Sequence, residues 1–281
     1  MSPGGRRVLI TGGARGIGAG LARRLHARGD RVALAGLEPD LLAEVAASCG
    51  DAPWVRCDVS DRASVDEAVA DLVDRLGGLD VVVANAGIAA QTPIVGGDPA
   101  LFERIVAVNT LGSYYTLRAA APHISHPDGY ALAVSSLAAA VHVPLLGAYS
   151  ASKAAVEAIG NTLRIELAPT GAHVGVAYFA ELDTDMTHRG FGTGAAEALT
   201  GGGSITPTTS LEVALDALER GIGRRSRRIV APWWVAAALP PRMVVQRVID
   251  RAVARRVPAA LAIATQETVE LTTPQPEPDP R

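Results

Sequence analysis

The residue types best suited to move a proton stand near the start of one predicted helix. Tyr149 and Lys153 lie four positions apart, so a helix over 148–167 places them on one face. A free tyrosine has a pKa of about 10, and a neighbouring ammonium lowers that value because it favours the phenolate. Such a pair could serve as a tyrosine general acid and base assisted by a lysine, but taken alone this spacing more often marks an ordinary helix surface.

Lys153 is the only lysine in a chain whose lysine and arginine residues number 26. A surface charge could have become arginine like the others, whereas a site that needs a compact ammonium cannot use the wide, planar guanidinium. The isolation of Lys153 therefore favours a functional role over a surface one.

A glycine-rich segment joins the first predicted strand, 7–11, to the first predicted helix, 17–28. It reads Thr11-Gly12-Gly13-Ala14-Arg15-Gly16-Ile17-Gly18. Glycines let the backbone approach a pyrophosphate, and the helix N-terminus offers N–H groups and the positive end of its dipole. Glycines also simply make tight turns, but a position between strand and helix is the context that a dinucleotide-binding loop requires.

Short apolar segments alternate with helical ones along most of the chain. The predicted strands cover 7–11, 31–35, 54–57, 80–84, 130–135 and 173–179, and helices lie between them. Strands that are apolar on both faces indicate a parallel sheet covered on each side. The predicted fold class is therefore α/β, a single-domain, doubly wound, Rossmann-like parallel sheet with its ligand site at the carboxyl ends of the strands.

Further motifs follow the strand ends in order. Asp58-Val59 follows the third strand, Asn85-Ala86-Gly87 the fourth and Ser135-Ser136 the fifth. Together with the Gly-x3-Gly-x-Gly loop and the Tyr-x3-Lys pair, these motifs resemble the short-chain dehydrogenase/reductase family, in its shorter Tyr-x3-Lys branch, over residues 6 to 230. The family's usual interval of thirteen residues before the tyrosine selects Ser136 over Ser135.

The resemblance implies a role for each matching residue. The catalytic set would be Asn109, Ser136, Tyr149 and Lys153, with Asn109 bending its helix and holding a water beside the lysine. Ser136 would orient the substrate oxygen, and Lys153 would also hold the nicotinamide ribose. The implied cofactor-binding positions are Thr11, Gly12, Arg15, Gly16, Ile17, Gly18, Asp58, Val59, Asn85, Ala86, Gly87, Tyr149, Lys153 and Thr184. Asp58 taken alone is more simply a helix-capping or turn residue.

The end of the second strand bears on the choice of cofactor. Gly36 stands where NAD-preferring relatives carry an acid for the ribose 2′-hydroxyl, and Arg15 could pair with a 2′-phosphate. Against this, Leu37 stands where many NADP enzymes place an arginine, and Glu38 could still reach the ribose. The balance favours NADP(H), with NAD(H) as the alternative.

The segment after the sixth strand lacks the Pro-Gly that is common in the family, which reshapes the wall beside the nicotinamide. Thr184 still matches the threonine that contacts the nicotinamide amide. The candidate substrate contacts are His142, Leu146, Ala180 and Leu182. Because they are mostly apolar, the expected substrate is an apolar alcohol or ketone, although His142 is equally compatible with a solvated loop.

Composition excludes several other classes of function. The net charge of −3 provides no field that would recruit nucleic acid. Cys49 and Cys57 match no metal-binding spacing, so no metal is expected, and both are consistent with reduced thiols in a cytoplasmic protein. The start of the chain has no signal-like apolar stretch, and the apolar run 229–239 is too short to span a bilayer.

The chain is expected to divide into a catalytic domain over 1–230, a helical extension over 231–265 and a disordered, proline-rich tail over 266–281. Residues 190–207, rich in glycine, threonine and alanine, would form a mobile flap. A helix over 242–257 carries Arg247, Arg251 and Arg255 at intervals of four. It is expected to pack on the body or on a second subunit, with contact to an anionic membrane surface and a lid over a lipophilic site as alternatives. The resemblance implies a homodimer or homotetramer.

Other functions remain compatible with this fold. A catalytically silent NADP-binding regulator or scaffold would be signalled by a damaged site, but the expected catalytic positions are intact. Relatives that epimerise or dehydrate their substrates are usually longer, and enoyl reductases typically space the tyrosine and lysine further apart. The sequence therefore favours transfer of a hydride between a nicotinamide cofactor and an alcohol or carbonyl carbon.

Overall fold

The computed structural model describes residues 5–184, 193–201, 206–267 and 269–275. Its strands are β1 Arg7–Thr11, β2 Arg31–Gly36, β3 Trp54–Arg56, β4 Val81–Ala84, β5 Tyr130–Val134, β6 His173–Phe179, β7 Leu182–Asp183, β8 Thr209–Ser210 and β9 Arg228–Ala231. Its α-helices are α1 Gly16–Ala27, α2 Pro39–Ala47, α3 Arg62–Leu76, α4 Pro99–Val106, α5 Gly112–Ala120, α6 Gly147–Leu167, α7 Gly194–Thr200, α8 Leu211–Gly223, α9 Val235–Ala238, α10 Arg242–Val253 and α11 Val257–Ala264.

Seven of the strands form one parallel sheet in the order β3-β2-β1-β4-β5-β6-β9. Helices cover both faces, so the doubly wound, Rossmann-like fold predicted from the sequence is confirmed. The chain reverses its direction of winding between β1 and β4, and a cleft at the carboxyl ends of the strands is the usual ligand site at such a switch point. β7 and β8 form a separate two-stranded sheet after β6.

Alternate residues of the central strands feed two different apolar layers. Leu9 in β1 packs with α3 and the helices on its side, whereas Val8 and Ile10 pack with α1 and α2 on the other. All three side chains are fully buried. Full burial of such a side chain stabilises a fold by about 1.5–3 kcal/mol, so β1 anchors the helices on both faces of the sheet.

The helix that contains Asn109 is interrupted. α4 passes into a π-helical turn, Ala107–Leu111, before α5 begins at Gly112. Asn109 lies in this turn, fully buried. π-helical turns inside α-helices are frequent at functional sites.

The helical extension also differs in detail from the prediction. The helix expected over 242–257 ends at Val253, and a second helix, α11, begins at Val257 with Pro258 in its first turn. Proline is tolerated there because the first turn leaves its N–H groups unpaired. α10 lies against the body through Val245 and Ile249, while Val244 and Val248 are exposed. No described helix is both long and apolar enough to cross a membrane.

The tail predicted to be disordered over 266–281 is packed in the part that the structure describes. Thr272 is only 3% exposed, and Val269 and Leu271 lie against the core. Buried apolar contacts and paired backbone groups explain the order, because they offset the conformational entropy that a free tail would keep. The predicted flap, 190–207, contains α7, and its residues 190–192 and 202–205 lie outside the described part of the chain.

Candidate active site

The loop between β1 and α1 is shaped by its glycines. Gly12 has φ of +66°, a conformation that favours glycine, and a Cβ on Gly18 would lie 2.1 Å from the Gly12 carbonyl oxygen. This close approach lets the loop turn directly into α1. The residue before the helix, Arg15, makes no side-chain cap, so no capping side chain occupies the first N–H groups of α1. The loop therefore suits a pyrophosphate.

Thr11 and Asn85 brace this loop against the next strand. The Asn85 side-chain amide donates to the carbonyl oxygens of Thr11 at 3.0 Å and Gly12 at 3.2 Å. The Thr11 hydroxyl accepts from the backbone N–H groups of Asn85 at 3.1 Å and Ala86 at 3.3 Å. These bonds connect the ends of β1 and β4, so the glycine loop and the Asn85-Ala86-Gly87 segment are held together on one side of the cleft.

Ser136 and Tyr149 meet at the carboxyl end of β5. The Tyr149 hydroxyl is hydrogen-bonded to Ser136. Ser136 also caps a short 3-10 turn, since its Oγ accepts from the N–H of Ala138 at 3.1 Å. Ser135 is turned away from this point, because its hydroxyl donates to the Lys153 carbonyl at 2.8 Å. The structure thus brings Ser136, and not Ser135, to the tyrosine.

Lys153 lies one helical turn below Tyr149 and is 4% exposed. Its Nζ is 5.7 Å from the centre of the Tyr149 ring and donates to the Val134 carbonyl at 2.9 Å. Burial lowers the pKa of Lys153 to about 8, because the charged ammonium loses its hydration. At neutral pH the side chain still carries its proton.

The expectation that Lys153 depresses the pKa of Tyr149 requires correction. Burial raises the pKa of Tyr149 above its ordinary value, although the hydrogen bond with Ser136 acts in the opposite direction. Desolvation of the phenolate outweighs the favourable contact. Tyr149 is therefore protonated at neutral pH in the protein without cofactor.

Asn109 lies behind Lys153 and is held on both sides of its amide. Its Oδ1 accepts from the N–H of Ile88 at 2.8 Å, and its Nδ2 donates to the Ile88 carbonyl and the Ser152 hydroxyl, each at 2.9 Å. A Cβ added to Gly87 would lie 3.3 Å from both Asn109 Oδ1 and Lys153 Nζ. A larger residue at position 87 would therefore press on both of these polar groups.

Asp58 follows β3 and has defined partners. Its Oδ1 accepts from the N–H of Ser60 at 2.9 Å, and its Oδ2 pairs with Arg104 at 3.0 Å. Burial alone would raise the pKa of Asp58, but the bonds from Ser60 and Arg104 outweigh it and hold the pKa below its ordinary value. Asp58 thus both stabilises the turn after β3 and faces the cleft.

At the end of β2, Arg15 pairs with Glu38. The Arg15 Nε lies 2.8 Å and 2.9 Å from the two Glu38 carboxylate oxygens. Gly36 lies beside them, where an added Cβ would be in ordinary contact with Leu42 at 3.5 Å. Arg15 and Glu38, the two charged residues that bear on the choice of cofactor, therefore lie together at one point of the cleft.

One continuous cavity of about 570 Å³ connects these residues. Most of the predicted cofactor positions line it, and Thr11, Gly18 and Asn109 lie behind its wall as supports. Glycine N–H groups, a helix N-terminus and side chains for ribose hydroxyls are the donor set that a nicotinamide dinucleotide requires. The residues present therefore fit this cofactor.

The far end of the cavity is apolar. Of the predicted substrate contacts, Leu146, Ala180 and Leu182 line it, as does Thr184. His142 instead lies exposed, and its backbone N–H and carbonyl are hydrogen-bonded to the Gln246 side chain at 2.7 Å and 2.9 Å.

Sequence reasoning missed a second group of cavity residues. They come from the helices that follow the catalytic motifs and from the C-terminal segment, namely Ala196, Leu199, Trp234, Ala238, Val245, Ile249, Thr272, Thr273 and Gln275. The available signal was the apolar face of α10, which carries Val245 and Ile249 four residues apart.

Comparisons with known proteins agree with this site. The family described as short chain dehydrogenase matches residues 6–193. L-2,3-butanediol dehydrogenase of Corynebacterium glutamicum is 32% identical over 64% of this chain and 76% of its own. The 2-dehydro-3-deoxy-L-rhamnonate dehydrogenase (NAD(+)) of a Sphingomonas strain is 38% identical over 59% of this chain and 68% of its own.

A solved structure shares the fold over a greater length. The short-chain dehydrogenase from Mycobacterium paratuberculosis bound to NAD is 25% identical, with a TM-score of 0.68 over 80% of this chain and 95% of that one. The resemblance drawn from the motifs is thus confirmed by an independent match over more than half of the sequence. The chain belongs to the short-chain dehydrogenase/reductase family, whose members are oxidoreductases that act on CH–OH groups with a nicotinamide cofactor.

Proposed function

We propose that this protein is an NADP(H)-dependent oxidoreductase that interconverts an apolar alcohol and its ketone, with Tyr149 exchanging the proton of the substrate oxygen. The observation that carries the proposal is the hydrogen bond between Tyr149 and Ser136 at the cavity wall, with Lys153 Nζ 5.7 Å from the tyrosine ring. Two hydroxyl groups that meet at one point can bind one carbonyl oxygen between them.

The protonation state of Tyr149 supports its role as a proton donor in the reducing direction. Burial keeps its pKa above the ordinary value, so the hydroxyl carries a proton at neutral pH. Ser136 donates to the same substrate oxygen and orients it, which leaves Tyr149 to deliver its proton as the alkoxide forms. In the oxidising direction Tyr149 takes that proton back from the alcohol.

Lys153 and Asn109 support this proton transfer from behind. Lys153 presents a positive charge beneath the tyrosine ring, and its side chain is directed by its bond to Val134. Asn109 fixes the backbone of Ile88 next to the lysine. When bound, the nicotinamide supplies or accepts the hydride, while these residues provide position and electrostatics.

The preference for NADP(H) rests on charge at the end of β2. Gly36 contributes no carboxylate where one would repel a 2′-phosphate, and the guanidinium of Arg15 lies close by. NAD(H) is the second candidate, because Glu38 pairs with Arg15 and could instead accept from the ribose 2′-hydroxyl.

The apolar end of the cavity supports a hydrophobic substrate. Leu146, Leu182, Val245 and Ile249 contribute hydrocarbon to its wall. A polar substrate would lose hydration there without replacement hydrogen bonds, whereas an apolar one gains from burial. The named relatives act on a diol and a sugar acid, so this wall would separate the present protein from them in substrate class.

We further propose a cytoplasmic homodimer or homotetramer. The two cysteines of the chain, Cys49 and Cys57, are free and buried, as suits a reducing compartment. The basic outer face of α10 exposes Met243, Val244 and Val248, and a second subunit is the occupant that we favour for it over a membrane surface.

The proposal is tested by titrating the protein with NADPH and with NADH while following nicotinamide fluorescence, then adding cyclic and aromatic ketones of increasing size. We expect tighter binding of NADPH and oxidation that depends on an apolar ketone. Tighter binding of NADH would overturn the cofactor preference alone. If neither NADPH nor NADH binds, the whole proposal is wrong.

A further inference from the structure

The C-terminal segment 269–275 crosses the carboxyl edge of the central sheet beside β4. The Thr272 N–H donates to the Ala89 carbonyl at 3.1 Å, and the Thr272 Oγ1 accepts from the Ala89 N–H at 3.0 Å. Both polar groups of Ala89 are therefore satisfied by one residue from the far end of the chain. Ala89 lies two residues after the Asn85-Ala86-Gly87 segment, so this contact lies close to the cofactor groove.

A second anchor lies three residues further along. Gln275 Oε1 accepts from Arg104 Nη2 at 2.8 Å and from Nε at 3.0 Å. The same guanidinium donates to Asp58 Oδ2 at 3.0 Å and to the Ser60 hydroxyl at 2.7 Å. Gln275 thus completes the set of bonds that directs Arg104 toward Asp58.

The segment is also tied to the substrate side of the cavity. Glu267 lies just before it, and its carboxylate accepts from the N–H groups of Gly194 at 2.8 Å and Ala195 at 3.1 Å, at the start of α7. α7 in turn packs on α11 through Ala195 and Ala264. Thr272 and Gln275 therefore fix the segment at two points, and Glu267, just before it, holds the start of α7 beside the same cavity.

Thr272, Thr273 and Gln275 line the same cavity as Asp58 and Asn85. We propose that residues 269–275 form a strap that is a wall of the cofactor groove at its adenosine end, and that Thr272 and Gln275 are cofactor-positioning residues. This inference rests on the proposed function, because it takes Asp58 and Asn85 to face the dinucleotide.

The strap acts by holding the groove in its binding shape before the cofactor arrives. Arg104 has four contacts in the folded chain, and loss of Gln275 removes two of them. A long side chain that is already ordered loses less conformational entropy when a ligand binds beside it. Without Gln275, Arg104 keeps only its bonds to Ser60 and Asp58, so it is less ordered before binding, which weakens affinity and speeds release.

The test uses the full-length protein with two pairs of substitutions. The double variant Thr272→Val with Gln275→Ala removes the side-chain anchors but keeps the backbone path. The matched control, Thr265→Val with Gln266→Ala, changes the same residue types at exposed positions outside the cavity lining. Dissociation constants for NADPH and NADH are measured by nicotinamide fluorescence, and the constant for ADP-ribose by calorimetry.

We expect the strap variant to lose about tenfold in affinity for the favoured dinucleotide and for ADP-ribose, as the loss of one or two hydrogen bonds implies, with faster release. The control variant should bind within about twofold of the wild type. If the wild type binds dinucleotide while the strap variant binds it equally well or more tightly, the strap inference is wrong and the proposed function stands.

Two further outcomes separate the possibilities. The strap variant could bind both dinucleotides more weakly while binding ADP-ribose as tightly as the wild type does. That result would place the effect away from the adenosine end and overturn the inference. Should the double variant fail to fold, Gln275→Ala alone carries the test, because its partner Arg104 keeps two other acceptors. Failure of the wild type to bind any of the three probes would overturn both the proposed function and the strap.

Discussion

The side chain of Lys153 is almost completely buried, so its pKa depends on the folded structure. Its Nζ has the Val134 carbonyl as a hydrogen-bond acceptor, and among the described residues no ion pair offsets its burial. Burial lowers its pKa from 10.5 to about 8. The folded protein therefore holds this proton less tightly than the unfolded chain does, and stability must respond to pH.

The first prediction compares the wild type with Lys153→Met. Below pH 8 the lysine is charged in both states and the cost of burying it is fully present, and this cost is relieved as pH rises from about 8 to 10.5. The free energy of unfolding of the wild type, relative to Lys153→Met, should thus increase by about 3 kcal/mol across that window. Urea unfolding at intervals of pH measures it, and a difference that stays flat would contradict the lowered pKa.

Arg15 and Glu38 give the second prediction. Glu38→Gln removes the negative charge nearest to Arg15, so binding of NADPH should improve by about fivefold relative to NADH, the effect of roughly one unit of charge near a protein surface. Fluorescence titration with both cofactors measures the ratio, with Glu44→Gln on the exposed face of α2 as the control. An unchanged or inverted ratio would contradict a role for the Glu38 charge in the choice of cofactor.

At the scale of the element, the π-helical turn between α4 and α5 has a specific cause. Asn109 makes three hydrogen bonds there, two of them to the backbone of Ile88, and all are buried. These bonds join the helix to the chain that leaves β4. Asn109 therefore shapes the site through backbone positions as well as through its own side chain.

The third prediction is that Asn109→Ala costs about 3 kcal/mol of stability, because the N–H and carbonyl of Ile88 become buried without partners. Asn161→Ala is the control, since Asn161 is half-buried on α6 and accepts a bond from Arg164 at 2.7 Å. Urea unfolding of both variants measures the difference. Equal, small losses would contradict the bracing role of Asn109.

α10 forms part of the substrate wall and provides the fourth prediction. Ile249 lines the cavity, while its neighbour Val248 is 60% exposed. Ile249→Ala should raise KM for a large apolar ketone by about tenfold, because it removes several buried methyl and methylene contacts, and Val248→Ala should change it little. Steady-state kinetics of both variants measures these changes in KM. Equal changes would mean that the substrate does not contact Ile249.

At the scale of the whole molecule, the sequence predicted those features that are encoded locally. Strands such as β1 and β4 are continuous apolar segments, and the glycine loop and the Tyr149–Lys153 spacing are fixed by neighbours along the chain. The parallel sheet then brings their carboxyl ends to one edge. Most of the predicted cofactor positions therefore line the observed cavity.

Features that depend on contacts distant in sequence were not predictable in this way. The tail looked disordered by composition, yet Thr272 pairs with Ala89 across a separation of 183 residues. The pKa of Tyr149 could not be judged without its burial, which outweighs its contact with Ser136. His142 was chosen for its chemistry, but Gln246 holds its backbone at the exposed rim.

The most direct test of the central claim is the activity of Tyr149→Phe, with Tyr114→Phe on the exposed face of α5 as the control. We expect Tyr149→Phe to bind cofactor within about threefold of the wild type but to lose at least about a hundredfold in ketone reduction, the usual contribution of a positioned general acid. Tyr114→Phe should keep full activity. Retention of activity by Tyr149→Phe would contradict proton transfer by this tyrosine.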